Sequence, residues 1–207
     1  MVALLIVALG TALFVGVHLV PMVPTWRTTL VGRLGEGPYK AGYSLLALAG
    51  LIGAIVAYRF TPHVPLWSSP EALRPVNAVL MLAAVWLFAG AKGAPWFKRI
   101  VRHPMLWGIG LLGVAHLLVN GKAAGVILFG GLALFGFAWQ PLTDRRDAAV
   151  DPAGWKETSR TTSLWPFAKW HARSDPVTFR PLIIGAIVYV ALVLLHPWLF
   201  GAPVLVW

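Results

Sequence analysis

Six long apolar runs fill most of the chain, and they leave little choice of fold. They are Val2–Val20, Ala41–Tyr58, Pro75–Ala91, Met105–Val119, Ala123–Leu142 and Pro181–Phe200. A helix needs about 20 mainly apolar residues to cross the hydrocarbon of a bilayer, and these runs approach or meet that length. Charge is correspondingly scarce. Only 12% of the residues are Asp, Glu, Lys or Arg, against about 25% in a soluble domain, too few to cover a water-facing surface. The expected fold is all-α, an integral membrane bundle of about six transmembrane helices. The chain reads as one domain over residues 1–207, with a cap segment at about 143–180.

The charges that remain set an orientation. Of the 17 Lys and Arg, all but Arg59, Arg74 and Lys122 fall in the first, third and fifth loops. The positive-inside rule puts those loops in the cytoplasm and both termini outside. It also accounts for the net charge of +10, so membrane lipid is the expected partner and nucleic acid is not. Trp26, Trp67, Trp96, Trp139, Trp198 and Trp207 fall near run ends, where aromatic belts sit. The first run lacks a basic start and a small-residue cleavage site, so it reads as a span and not as a signal peptide. The polar stretch Thr143 to Arg180 is too aromatic for a disordered linker, and its TSLWPFAKW segment is expected to lie back on the membrane surface as a cytoplasmic cap.

Two histidines stand inside these apolar runs: His18 in GTALFVGVHLVP and His116 in GIGLLGVAHLLVNG. An ionisable residue in a transmembrane helix marks a functional site by default. The chain has no cysteine, which excludes disulfides, thiolate metal sites and a cysteine nucleophile. Histidine is then the strong side-chain ligand left for haem iron, and a haem b clamp with His18 and His116 as metal ligands is the first expectation. Phe14 and Val15 share the helical face of His18 and give it an apolar wall. Gly113 and Gly110 share the face of His116. Small residues there either open a groove for a flat macrocycle or form a seam for helix packing. Asn120, four residues on, is placed to orient the His116 imidazole.

Depth tests the clamp. His18 is close to the cytoplasmic end of its run, whereas His116 lies about 16 Å along the helix from Met105, at 1.5 Å per residue. Two axial ligands of one iron need similar depth. A helix tilt of about 20° narrows the gap; without it, His18 with His103 fits the depth requirement better. His103 sits in RHPML, where Pro104 starts a helix. Arg27, Arg33, Arg99 and Arg102 gather on the same side, either as anchors set by topology or as partners for haem propionates. No carboxylate is expected inside the membrane, which counts against a pump or ion-coupled transporter. No GxSxG, Walker or HExxH pattern is present.

Several of these segments together resemble the NnrU family of bacterial membrane proteins. They are HLVPMVPTWR (His18 to Arg27), RLGEGPYKAGYSLLAL (Arg33 to Leu48), RHPMLWGIGLLGVAHLLVNG (Arg102 to Gly121), DRR (Asp144 to Arg146) and TSLWPFA (Thr162 to Ala168). The resemblance implies an inner-membrane protein linked to denitrification, to nitrite and nitric oxide metabolism, with a respiratory or denitrification complex as partner. The chain is also similar to the zeta-carotene isomerases, which bind haem b and isomerise a carotenoid double bond. Their haem-ligating histidines match His18 and His116, which would make the substrate an apolar small molecule. Their cysteine three residues before the second histidine is Gly113 here, so a thiolate alternative is excluded. RHPML also resembles the RHPxY motif of membrane methyltransferases, which helps bind S-adenosylmethionine, with Leu106 in place of the tyrosine. A cofactor enzyme built on Arg102, His103 and the Thr162 to Ala168 cap is therefore an alternative, and a non-enzymatic assembly factor is a third.

Overall fold

The computed structural model describes residues 1–201 and 204. Trp207, read above as part of an aromatic belt, lies outside the described residues. Among the described residues the regular elements are helices, with α1 at Val2–Val17, α2 at Pro24–Leu34, α3 at Glu36–Tyr58, α4 at Leu73–Gly93 and a short α5 at Phe97–Ile100. Then come α6 at Pro104–Val119, α7 at Ala123–Val150, α8 at Pro152–Thr161 and α9 at Arg180–Phe200. Five of these, α1 with the turn that follows it, α3, α4, α7 and α9, are long and apolar enough to cross a membrane, and α6 is a shorter apolar helix of 16 residues. The six apolar runs thus become six helices of an all-α membrane bundle.

Local chemistry sets the helix ends. Prolines occupy the first turn of α2, α6, α8 and α9, where the missing N–H has no partner to lose. Gly35 separates α2 from α3 at φ +82°, a left-handed conformation that glycine adopts without a Cβ clash. Two helices outrun the sequence reading. α3 starts at Glu36, where the run starts at Ala41. α7 continues through Pro141 and the polar DRRDAAV to Val150. Gln140 and Thr143 hydrogen-bond back to the Gly136 and Trp139 carbonyls around the interior proline. Near its start α7 carries a π-helical segment, Val126–Gly130, of the kind often found at functional sites.

Lipid supplies no hydrophobic drive between helices, so close backbone approach through small residues does much of the packing. Gly10 of α1 meets α3 so tightly that a Cβ would lie 2.6 Å from the Gly50 carbonyl oxygen. A Cβ on Gly136 of α7 would lie 2.3 Å from the Gly110 nitrogen of α6. α4 packs on α6 through Gly108. α9 joins the bundle against α4, where Gly185 faces Trp86 and the Trp86 indole donates to the Leu182 carbonyl at 2.9 Å.

The first, third and fifth loops gather at one end, called here the basic end. Trp96 donates to the Thr178 carbonyl and Arg99 stacks on Trp170, tying the 162–179 segment to α5. Trp96 and Trp139 are buried in the protein, so they pin loops and are not belt residues. Trp26, Trp67 and Trp198 are exposed, as a belt requires. Trp165 and Phe167 of the cap are also exposed.

Candidate functional site

At the basic end the helices α1–α8 line an open-mouthed chamber of about 760 Å3, within the range of about 300–1,000 Å3 usual for small-molecule and cofactor sites. Its floor is aromatic: His18, Tyr43, Phe135 and Trp139. Its rim is basic, with Arg27, Lys40, Lys98 and Arg146, and also carries Asp147 and Asp151. The chamber is therefore amphipathic, apolar toward the bundle and polar at its mouth.

His18 lies where α1 ends. Its Nδ1 donates to the Phe14 carbonyl at 2.6 Å. A carbonyl can only accept, so the ring hydrogen is on Nδ1 and Nε2 keeps its lone pair. The ring packs between Phe14, Phe135 and Tyr43, with centroids 4.6, 4.8 and 5.3 Å away. The His18 backbone carbonyl accepts from the Trp139 indole at 3.2 Å. Backbone and ring are both held.

The RHP segment forms the opposite wall. Arg102 is paired with Asp144, and the Nε2 of His103 donates to the other Asp144 oxygen at 2.6 Å. Arg102 also donates to the Thr162 hydroxyl and carbonyl, both at 3.0 Å, and lies over the Trp155 ring. The side chains of Arg102, His103 and Asp144 are 11, 13 and 14% exposed, so the Arg102 and Asp144 charges are largely desolvated and depend on each other. Burial pushes His103 below its ordinary value, with the Asp144 hydrogen bond pulling it partly back. Thr162→Val would leave the Arg102 Nε–H without its acceptor. It is expected to destabilise the cap by about 1–3 kcal/mol, the usual penalty for a buried donor left unpaired, and to raise limited proteolysis within 143–180.

Four of the residues singled out in the sequence, His18, Arg27, Arg102 and His103, line this chamber. Arg33 is exposed on α2 away from it, and Arg99 is engaged with Trp170 and Asp175. His116, Gly113 and Asn120 lie elsewhere. His116 donates from Nδ1 to the Leu112 carbonyl at 2.9 Å and stacks on Phe129 at 4.2 Å and 16°. Phe129 and Phe135, the α7 neighbours of His116 and His18, are six residues apart, about 9 Å along that helix. Gly113 opens no groove: a Cβ there would lie 2.5 Å from the Phe129 oxygen and the Ala133 nitrogen. Of the two readings of this glycine, the packing seam is the one observed. Asn120 does not orient His116; it donates to the Tyr58 hydroxyl, far along the helix from the basic end.

Sequence reasoning did not find Tyr43, Phe135 or Trp139, nor Asp144 as the carboxylate between Arg102 and His103. The available signals were the i, i+4 spacings of Tyr39 with Tyr43 and Phe135 with Trp139, and an acidic residue leading DRR.

The fold defines a multi-pass α-helical membrane protein with an amphipathic chamber at one end of its bundle. A family model described as NnrU protein matches residues 6–204, and the chain belongs to the NnrU family. No curated protein and no solved structure matches it.

Proposed function

We propose that the chamber would hold haem b through His18, and that the protein serves nitrogen-oxide metabolism at the bacterial inner membrane. The observation that carries this reading is His18 itself. Its tautomer is fixed by Phe14, its Nε2 is left to bind, and its ring stands among flat aromatic faces in an amphipathic chamber. Among the described residues no three His, Asp or Glu side chains converge as a site for a bare ion. A porphyrin brings four nitrogens of its own and asks the protein for one or two. The apolar floor suits the macrocycle, and Lys98, Arg27 and Lys40 at the rim suit its propionates. Bound haem would supply redox-active iron chemistry of the kind nitrogen oxides undergo. The positive-inside rule turns the chamber mouth to the cytoplasm.

The second histidine of the zeta-carotene isomerase pattern is tested separately. His116 shares with His18 the Nδ1 bond to the carbonyl four residues back, but it lies outside the chamber. His116→Ala is expected to keep its full haem content and an unchanged reduced-minus-oxidised spectrum. A shift from low-spin to high-spin bands would restore the bis-histidine clamp and, with it, the isomerase reading. The primary experiment is that spectrum on detergent-purified protein, with a pyridine haemochrome assay. About one haem b per chain supports the proposal, and no haem after supply of precursor removes it.

One observation favours a second reading. Arg102, His103, Asp144 and Thr162, drawn from the methyltransferase-like segments, do converge on one wall. An S-adenosylmethionine site there predicts saturable heat on calorimetric titration, abolished by His103→Ala; a flat titration eliminates it.

A further inference from the structure

His103 differs from the other two histidines in a way the haem reading does not use. His18 and His116 carry their ring hydrogen on Nδ1, fixed by backbone carbonyls. His103 carries it on Nε2, because that nitrogen faces the Asp144 carboxylate at 2.6 Å. The Nδ1 of His103 has no partner among the described residues, and the residue lines the chamber. Asp144 cannot turn away, since its second oxygen is held by Arg102, which Thr162 and Trp155 hold in turn. A carboxylate fixed behind an imidazole orients the ring, sets its tautomer and stabilises the imidazolium when it forms. The charged groups acting on His103 are Asp144 and Asp147 from α7 and Arg102 on its own segment. Burial, the largest influence, and Arg102 favour the neutral ring, whereas Asp144 and Asp147 favour the imidazolium; the balance leaves the ring neutral and able to accept a proton.

We propose that His103 is an acid–base group of the chamber, with Asp144 as its positioning residue, acting on a planar amphipathic acid that carries an ionisable O–H. The inference rests on the chamber being a ligand site but not on haem. In the proton transfer the occupant's O–H bond breaks, an N–H bond forms at Nδ1, and the oxygen keeps the electron pair. The Nε2 keeps its hydrogen and donates to Asp144 throughout. The oxyanion is left facing Lys98, a chamber-lining cation with no ion-pair partner among the described residues. Return of the proton resets the pair.

The test uses full-length protein in detergent and 4-nitrophenol, a planar amphipathic acid whose phenolate is coloured. At a pH one unit below its solution pKa, the bound probe is expected to show a several-fold larger phenolate fraction with wild type than with His103→Gln. Asp144→Asn should fall between them. Equal fractions in wild type and His103→Gln overturn the proposal, as does failure of the probe to bind. A second measurement needs no variant: 15N chemical shifts of labelled histidines in the wild type should report hydrogen on Nε2 for His103. Hydrogen on Nδ1 overturns it. Haem content is read separately, so a haem-free protein that ionises the probe retires the haem reading alone, while haem binding without ionisation retires the acid–base assignment alone.

Discussion

His18→Ala is expected to empty the chamber of haem. Loss of an outer-shell partner to a metal ligand already lowers affinity by about 10–100-fold, and loss of the ligand itself should exceed that, leaving purified protein without a Soret band. The substitution is well placed to separate chemistry from folding. The contact that ties His18 to α7 runs through its backbone carbonyl and the Trp139 indole, and alanine keeps that carbonyl. The side chain removed is half-buried at a chamber wall and supports little packing beyond Phe14, Tyr43 and Phe135. The variant should therefore purify with a helical spectrum and melting profile close to the parent. Free imidazole should restore part of the haem, since it occupies the space the ring leaves. Full haem content in His18→Ala would end the ligand assignment.

Gly136→Val should have the largest effect on stability. A Cβ at Gly136 would lie 2.3 Å from the Gly110 nitrogen, 2.6 Å from the Gly110 Cα and 2.6 Å from the Leu106 oxygen. All three are backbone atoms, so no side-chain rotation relieves the clash. Overpacking in ordinary cores costs about 1–3 kcal/mol and occasionally more; here α6 and α7 must separate, and the expected cost is at or above the top of that range. Because these helices carry His103 and Asp144, their separation should also break that pair. Gly16→Val and Gly53→Val are the controls, as both sites face open space; they should be neutral or stabilising by a few tenths of a kcal/mol, since valine has a slightly better helix propensity than glycine. Thermal aggregation of detergent-solubilised protein would rank the three. A Gly136→Val variant as stable as Gly16→Val would contradict the packing.

Most of the architecture was legible from hydropathy, because a spanning helix has to declare itself over its whole length. The helix ends were less so. Polar residues such as DRRDAAV carry no hydropathy signal, yet they have adequate helix propensity and prolong α7 into the cap. The site was legible where a rare residue type marked it, as with His18, His103 and Arg102. It was not where common residues built it. Phe135 and Trp139 are ordinary membrane residues, and only the assembled bundle puts them beside a histidine. Gly113 shows the converse: a missing side chain implies either open space or close approach, and sequence alone cannot choose between them. The pairing of Asp144 with Arg102 and His103 crosses about forty positions, a separation at which no local periodicity operates.

The 16 residues of α6 amount to about 24 Å of helix at 1.5 Å per residue, shorter than the roughly 30 Å hydrocarbon thickness of a typical bilayer. The helix that leads from the RHP segment to Asn120 is therefore mismatched to the membrane while its longer neighbours are not. The bilayer must thin locally, or water and headgroups must reach inward at its ends. At the Pro104 end of the helix, either adjustment would bring water and headgroups to the chamber that Pro104, Met105 and Leu106 line. Acyl-chain length then becomes a control on the site. Thin bilayers match α6 and leave the mouth at the surface, whereas thick ones bury it and raise the barrier to entry.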